Sequence, residues 1–117
     1  IMGDSEITVG ELKEKVESFI KKRNWTQFHD SKSLSMSIAI EVAELMENFQ
    51  WVSTLNSEEI MQDQNLKANV IDEIADVLIY SLAFCIKNNI DVSKSINLKL
   101  KKNEVKYPIS RFKGKYK

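Results

Sequence analysis

Apolar residues recur at helical intervals through most of the chain, and they fall into four stretches. In the first, Leu12, Val16, Phe19 and Ile20 form one stripe. Thr8 and Glu11 precede it with the spacing of a capping box, and Lys21, Lys22 and Arg23 follow where a helix end favours cations. A first helix is predicted from there to Asn24. The second stripe is Ile38, Val42, Leu45 and Phe49, within a helix predicted from Ser33 or Leu34 to Trp51 or Val52. The third is Ile74, Val77, Leu78 and Leu82, in a helix from about Leu66 to Asn88. Asp91 is placed to cap a fourth helix, whose apolar side is Ile96, Leu100 and Tyr107, and Pro108 ends it.

The connections differ in character. Trp25 to Ser33 reads as a loop with two aromatics, Trp25 and Phe28, and the chain's one histidine, His29. The aromatics either plug the end of a bundle or stack on a flat ring. Ser53 to Asn65 is polar, with a short helical turn expected at Ser57, Glu58 and Glu59. Four helices with short links predict an all-α, antiparallel four-helix-bundle-like protomer. Residues 1–117 read as a single domain, with 1–7 and 110–117 as flexible tails. A chain of 117 residues buries only a modest core.

Two acid pairs interrupt this pattern. Glu41 and Glu44 lie inside the second stripe, and Glu73 and Asp76 lie inside the third. A spacing of three puts each pair on one helix face, bordering the face expected to be buried. Buried carboxylates facing each other repel, and they become protonated unless a cation holds them. A hard divalent cation with oxygen ligands resolves the conflict, and Mg²⁺ suits such a set, with Mn²⁺ able to substitute. Glu47 either adds a third ligand or faces solvent, and Asp72 is expected to be exposed. Neither pair is accompanied by a Glu-x-x-His ligand pattern, so di-iron oxygen chemistry is disfavoured.

Composition narrows the picture further. Lys and Arg total 17, as do Asp and Glu, so the net charge is zero and bulk attraction to DNA or RNA is not expected. The charge is segregated, however. From Lys94 onward there are nine Lys or Arg and one acid, Glu104. Lys99, Asn103 and Lys106 share a helix face that could meet the carboxylates and hold phosphate oxygens. The one cysteine, Cys85, lies in an apolar run and reads as core packing; a disulfide framework is excluded and a reducing, cytoplasmic setting is expected. No run is long enough to span a membrane, and no signal peptide is visible.

Taken together, Glu41-x-x-Glu44 and Glu73-x-x-Asp76 resemble the ExxE…ExxD signature of the MazG-like all-α nucleoside triphosphate pyrophosphohydrolases. Trp25-x-x-Phe28-His29, the run from Ile40 to Trp51, the run from Asp72 to Tyr80, and Asn103-x-x-x-Tyr107-Pro108 are similar to the dCTP pyrophosphatase branch. Ile40 stands before Glu41 where that family often has a small residue. The resemblance implies hydrolysis of a nucleoside triphosphate, dCTP or a related deoxypyrimidine, to the monophosphate and pyrophosphate. It implies Mg²⁺ on Glu41, Glu44, Glu73 and Asp76, with Glu41 or Glu44 activating water. It further implies phosphate and sugar contacts from Lys99, Asn103, Tyr80 and Tyr107, and a base pocket bordered by Trp25, Phe28, His29 and Trp51. A homodimer or dimer of dimers is implied, with sites partly at the subunit contact. The rival readings are another pyrophosphohydrolase of the same superfamily, acting on phosphoribosyl-ATP or many triphosphates, and a non-catalytic helical oligomerisation module.

Overall fold

Side-chain caps decide where the four long helices begin. A computed structural model describes residues 1–115, with Leu55 through its backbone only. Helix α1 spans Val9–Lys22, and its capping box is formed as expected. Thr8 Oγ1 accepts from the Glu11 amide at 3.1 Å, and the Glu11 carboxylate accepts from the Thr8 amide at 3.2 Å. Thr8→Ala is expected to cost about 1 kcal/mol. The melting temperature should drop by a few degrees, and an unchanged midpoint would show that packing alone holds α1.

Helix α2 spans Ser31–Glu47, starting earlier and ending earlier than the apolar stripe suggests. Its start is set by Asp30, whose carboxylate accepts from the Ser33 amide at 2.9 Å and the Ser33 hydroxyl at 2.8 Å. Its end is set by Asn48. That side-chain amide donates to the carbonyls of Glu44 and Leu45, so Phe49, Gln50 and Trp51 continue as turns. The segment between α1 and α2 contains one 3-10 turn, Thr26–Phe28.

A short helix, α3 (Ser57–Gln62), occupies the polar stretch where a turn is expected. Helix α4 spans Gln64–Lys87 and begins ahead of Leu66, because the Asp63 carboxylate accepts from the amides of Asn65 and Leu66. Helix α5 spans Val92–Lys106 behind its Asp91 cap. A single turn, α6 (Ile109–Phe112), follows Pro108, and the rings of Tyr107 and Phe112 meet edge-on at 5.3 Å. Residues 116 and 117 of the expected tail lie outside the described residues. The fold is all-α, with no strand among the described residues. Among the described residues no helix is long and apolar enough to cross a membrane.

Helix α4 is the axis of the fold. Helix α2 packs along it most extensively, and α1 and α3 also lean on it. Helix α5 makes only scattered contacts with the rest of the chain. The core is correspondingly thin: among the described residues the buried apolar side chains are Leu34, Val70 and Ala83. Cys85 is half-buried. Parts of the stripes expected to be buried are open to solvent, namely Val42, Ile74 and Leu78, the last 56% exposed. The physical reason is that three helices around α4 cannot cover the apolar faces of both α2 and α4. The chain exposes 9596 Å², against about 6,500 Å² for a compact monomer of its mass. Its radius of gyration is 17.2 Å, against about 13 Å for a compact domain of this length.

Candidate active site

Packing of α2 on α4 brings the two acid pairs together. Oxygens of Glu41, Glu73 and Asp76 all lie within 4.8 Å of one another. Ligands of one ion at 2.0–2.6 Å sit up to about 4–5 Å apart across it, so the three can share a cation with little movement. Glu44 stands just outside this triad. It is close enough to Glu41 and Glu73 to interact with both carboxylates.

The electrostatics ask for a positive charge. Loss of solvent, followed by the close Glu44 carboxylate and then by Asp76 and Glu73, raises Glu41 above the ordinary glutamate value. Glu73 is raised in the same sense, again first by loss of solvent and then by Glu44, Asp76 and Glu47. Glu41 Oε2 is buried and has no hydrogen-bond partner among the described residues. A buried carboxylate oxygen without a donor is costly, and a bound cation supplies what it lacks. Asp76 is exposed and leaves the triad open to an incoming ion. This donor set, all carboxylate oxygen, fits a hard divalent metal. Glu47 and Asp72 are both exposed.

The triad opens onto a cavity of about 420 Å³ between α1, α4 and the loop joining α1 to α2. Asp76 is common to both, so anything filling the cavity reaches the acids. Its walls are largely apolar: Val16, Phe19 and Ile20 from α1, Ile79 and Ala83 from α4, and Trp25 from the loop. Lys15, His29 and Tyr80 supply the other polar side chains. The His29 and Tyr80 rings lie 6.5 Å apart, and Trp25 meets Phe19 edge-on at 5.8 Å. The loop is anchored by the Asp30 cap on one side. On the other, Asn24 adopts a left-handed conformation (φ 54°) that turns the chain out of α1. Such a pocket, of ligand size and mostly apolar with a few polar groups, suits a flat ring whose charged portion reaches the acids.

The structure places the remaining sequence candidates elsewhere. Phe28 is exposed and does not line the cavity; Trp51 is 88% exposed in the turn after α2. Lys99, Asn103 and Tyr107 belong to α5 and its end, and none of them lines the cavity beside the acids within one protomer. Six lining residues were not among the sequence candidates. Val16, Phe19 and Ile20 were legible only as a core stripe, Ile79 and Ala83 only as apolar positions of the third helix, and Lys15 as one more lysine on a helix. Nothing in their spacing announces that α1 docks on α4 beside Asp76.

The sequence pattern of the MazG-like family matches residues 36–117. The chain is 29% identical to dCTP pyrophosphatase 1 of Rattus norvegicus over 109 residues, which are 93% of this chain and 64% of that protein. It is 29% identical to dCTP pyrophosphatase 1 of Homo sapiens over 103 residues, 88% of this chain and 61% of that one. It therefore spans a little under two thirds of these curated relatives. A solved pyrophosphatase structure from Archaeoglobus fulgidus superposes with a TM-score of 0.82 at 38% identity, covering 92% of this chain and 99% of that one.

Proposed function

Because this chain belongs to the MazG-like family, we propose that it hydrolyses nucleoside triphosphates to the monophosphate and pyrophosphate with the help of Mg²⁺. The observation that carries this reading is the orphaned Glu41 Oε2 inside the Glu41–Glu73–Asp76 triad, beside a cavity of nucleoside size. The names of the rat and human relatives and of the archaeal structure support the same reaction class. Release of pyrophosphate from a panel of deoxy- and ribonucleoside triphosphates, with and without Mg²⁺, tests it. A protein that released none would be the non-catalytic helical oligomerisation module instead, and one that released orthophosphate alone would cleave a different bond and overturn the reading.

Glu41, Glu73 and Asp76 would hold the metal, with Glu44 beside the set at its edge. When bound, the ion neutralises the triphosphate and polarises phosphorus. Glu44 is then the residue best placed to accept the proton of the attacking water, because it lies outside the tight triad yet within reach of Glu41 and Glu73. The cavity takes the base: Trp25 stacks on it, while His29 and Tyr80 fix its edge. The dCTP relatives favour dCTP or a close deoxypyrimidine as substrate. Trp25→Ala and His29→Ala should raise KM for the preferred base by about tenfold and flatten the preference among bases. A matrix of kcat/KM values checks this, and an equal loss on every nucleotide would remove these residues from base selection.

Assembly completes the site. Helix α5 carries Ile96, Leu98 and Leu100 largely exposed, Val105 83% exposed, and the basic run that includes Lys99. The excess exposed area, about 3,000 Å² per chain, is of the size that permanent interfaces cover. A second copy of the chain is the natural occupant, since residues 94–117 are basic and the body they would meet is acidic. Lys99, Asn103 and Tyr107 then face the phosphates of a neighbouring protomer, and Trp51 closes its base pocket. The homodimer or dimer of dimers acts on a free nucleotide, needs neither nucleic acid nor membrane, and resides in the cytoplasm.

A further inference from the structure

We infer that Lys15, on α1, is a specificity-determining residue that makes the cavity prefer rings bearing a carbonyl oxygen. This rests on the reading that the cavity holds a nucleobase. Lys15 borders the cavity on one side and the outer face of α1 on the other. It makes no hydrogen bond or ion pair among the described residues, although Glu11 and Glu14 share that outer face. Its four-carbon stem suits the apolar wall, and its ammonium remains available at the rim.

The chemistry of the polar groups separates Lys15 from its neighbours. A tyrosine hydroxyl donates and accepts, and so does a neutral imidazole. Tyr80 and His29 can therefore turn to suit an amino or a carbonyl substituent. An ammonium carries three donors and no acceptor, so a ring amino group facing Lys15 meets donor against donor. That contact is unfavourable, whereas a carbonyl oxygen gains a charge-assisted hydrogen bond. Cytosine, thymine, uracil and guanine each carry a carbonyl oxygen; adenine carries none. The location is consistent with selectivity rather than shared chemistry. The family pattern begins at residue 36, after α1 and the loop, so the metal-bearing helices fall within it and the wall holding Lys15 falls outside.

The experiment compares wild type, Lys15→Met and Lys15→Arg in two measurements. The first is kcat/KM for dCTP, dTTP and dATP with Mg²⁺. The second is the Kd of dCMP, dTMP and dAMP without metal, by calorimetric titration. Lys15→Met should reduce the preference for dCTP and dTTP over dATP about tenfold in both, mainly through KM, and Lys15→Arg should keep it. An equal loss on all three nucleotides would make Lys15 a phosphate contact and overturn the inference. So would an unaltered preference, or a wild type that binds dAMP as tightly as dCMP. If wild type binds the monophosphates selectively but cleaves no triphosphate, the proposed activity fails while the binding measurement still decides the role of Lys15.

Discussion

Asp76→Asn is expected to abolish turnover and metal binding together, and Glu44→Gln to abolish turnover while leaving metal binding in place. This pair of outcomes follows from the geometry: Asp76 belongs to the triad whose oxygens lie within 4.8 Å, and Glu44 stands at its edge. Metal neutralisation of transition-state charge is worth several kcal/mol, so losing the ion should slow the reaction about a thousandfold or more. Loss of a general base costs about a hundred- to ten-thousandfold. Thermal midpoints separate the two. Wild type and Glu44→Gln should rise with added Mg²⁺, by linkage, and Asp76→Asn should not. The metal-free state has its own signature. Glu41 and Glu73 have raised values in the fold, so their contribution to stability is present at acid pH and is lost as pH climbs through those values. Glu44→Gln removes one source of that repulsion and should stabilise the metal-free protein at neutral pH. Wild-type turnover in Asp76→Asn would remove the carboxylate centre from the mechanism.

The protein is expected to be a dimer or larger at micromolar concentration, with sites that draw Lys99 from the neighbouring chain. Light scattering checks the first half; a fully active monomer would contradict it. Mixing tests the second half. Asp76→Asn protomers alone should be inactive and Lys99→Ala protomers alone poorly active, but in a two-fold mixed dimer one site would combine an intact Asp76 with an intact Lys99. Random pairing then restores about a quarter of wild-type activity, since two-fold symmetry gives each mixed dimer one complete site out of two. No recovery after exchange would return Lys99 to a site within its own chain. Lys99→Ala by itself should weaken all triphosphates alike, because phosphate contacts do not distinguish bases.

Much of this protein was legible in its sequence, because the relevant physics is local. The capping box at Thr8 and Glu11, the Asp91 cap and the Pro108 stop involve residues within a turn of each other, and the structure has all three. Asp30 and Asp63 take the caps of α2 and α4. These are local signals too, but they lie well ahead of the apolar stripes at Ile38 and Ile74. The spacing of Glu41 with Glu44, and of Glu73 with Asp76, placed each pair on one face, and mutual repulsion implied a cation. What spacing could not supply is the angle at which helices meet. Only the docking of α2 on α4 turned two pairs into a triad plus one neighbouring acid. Only the docking of α1 on α4 made Lys15 and Phe19 walls of a cavity rather than surface and core. Helix α5 illustrates the same limit from the other side: its face of Lys99 and Asn103 could be read from periodicity, but which chain's acids it meets depends on contacts beyond the protomer. Hydrogen bonds along one helix are decided by neighbours in sequence. Helix packing is decided by the summed burial of many side chains far apart in the chain, and that sum exists only once the tertiary structure has formed.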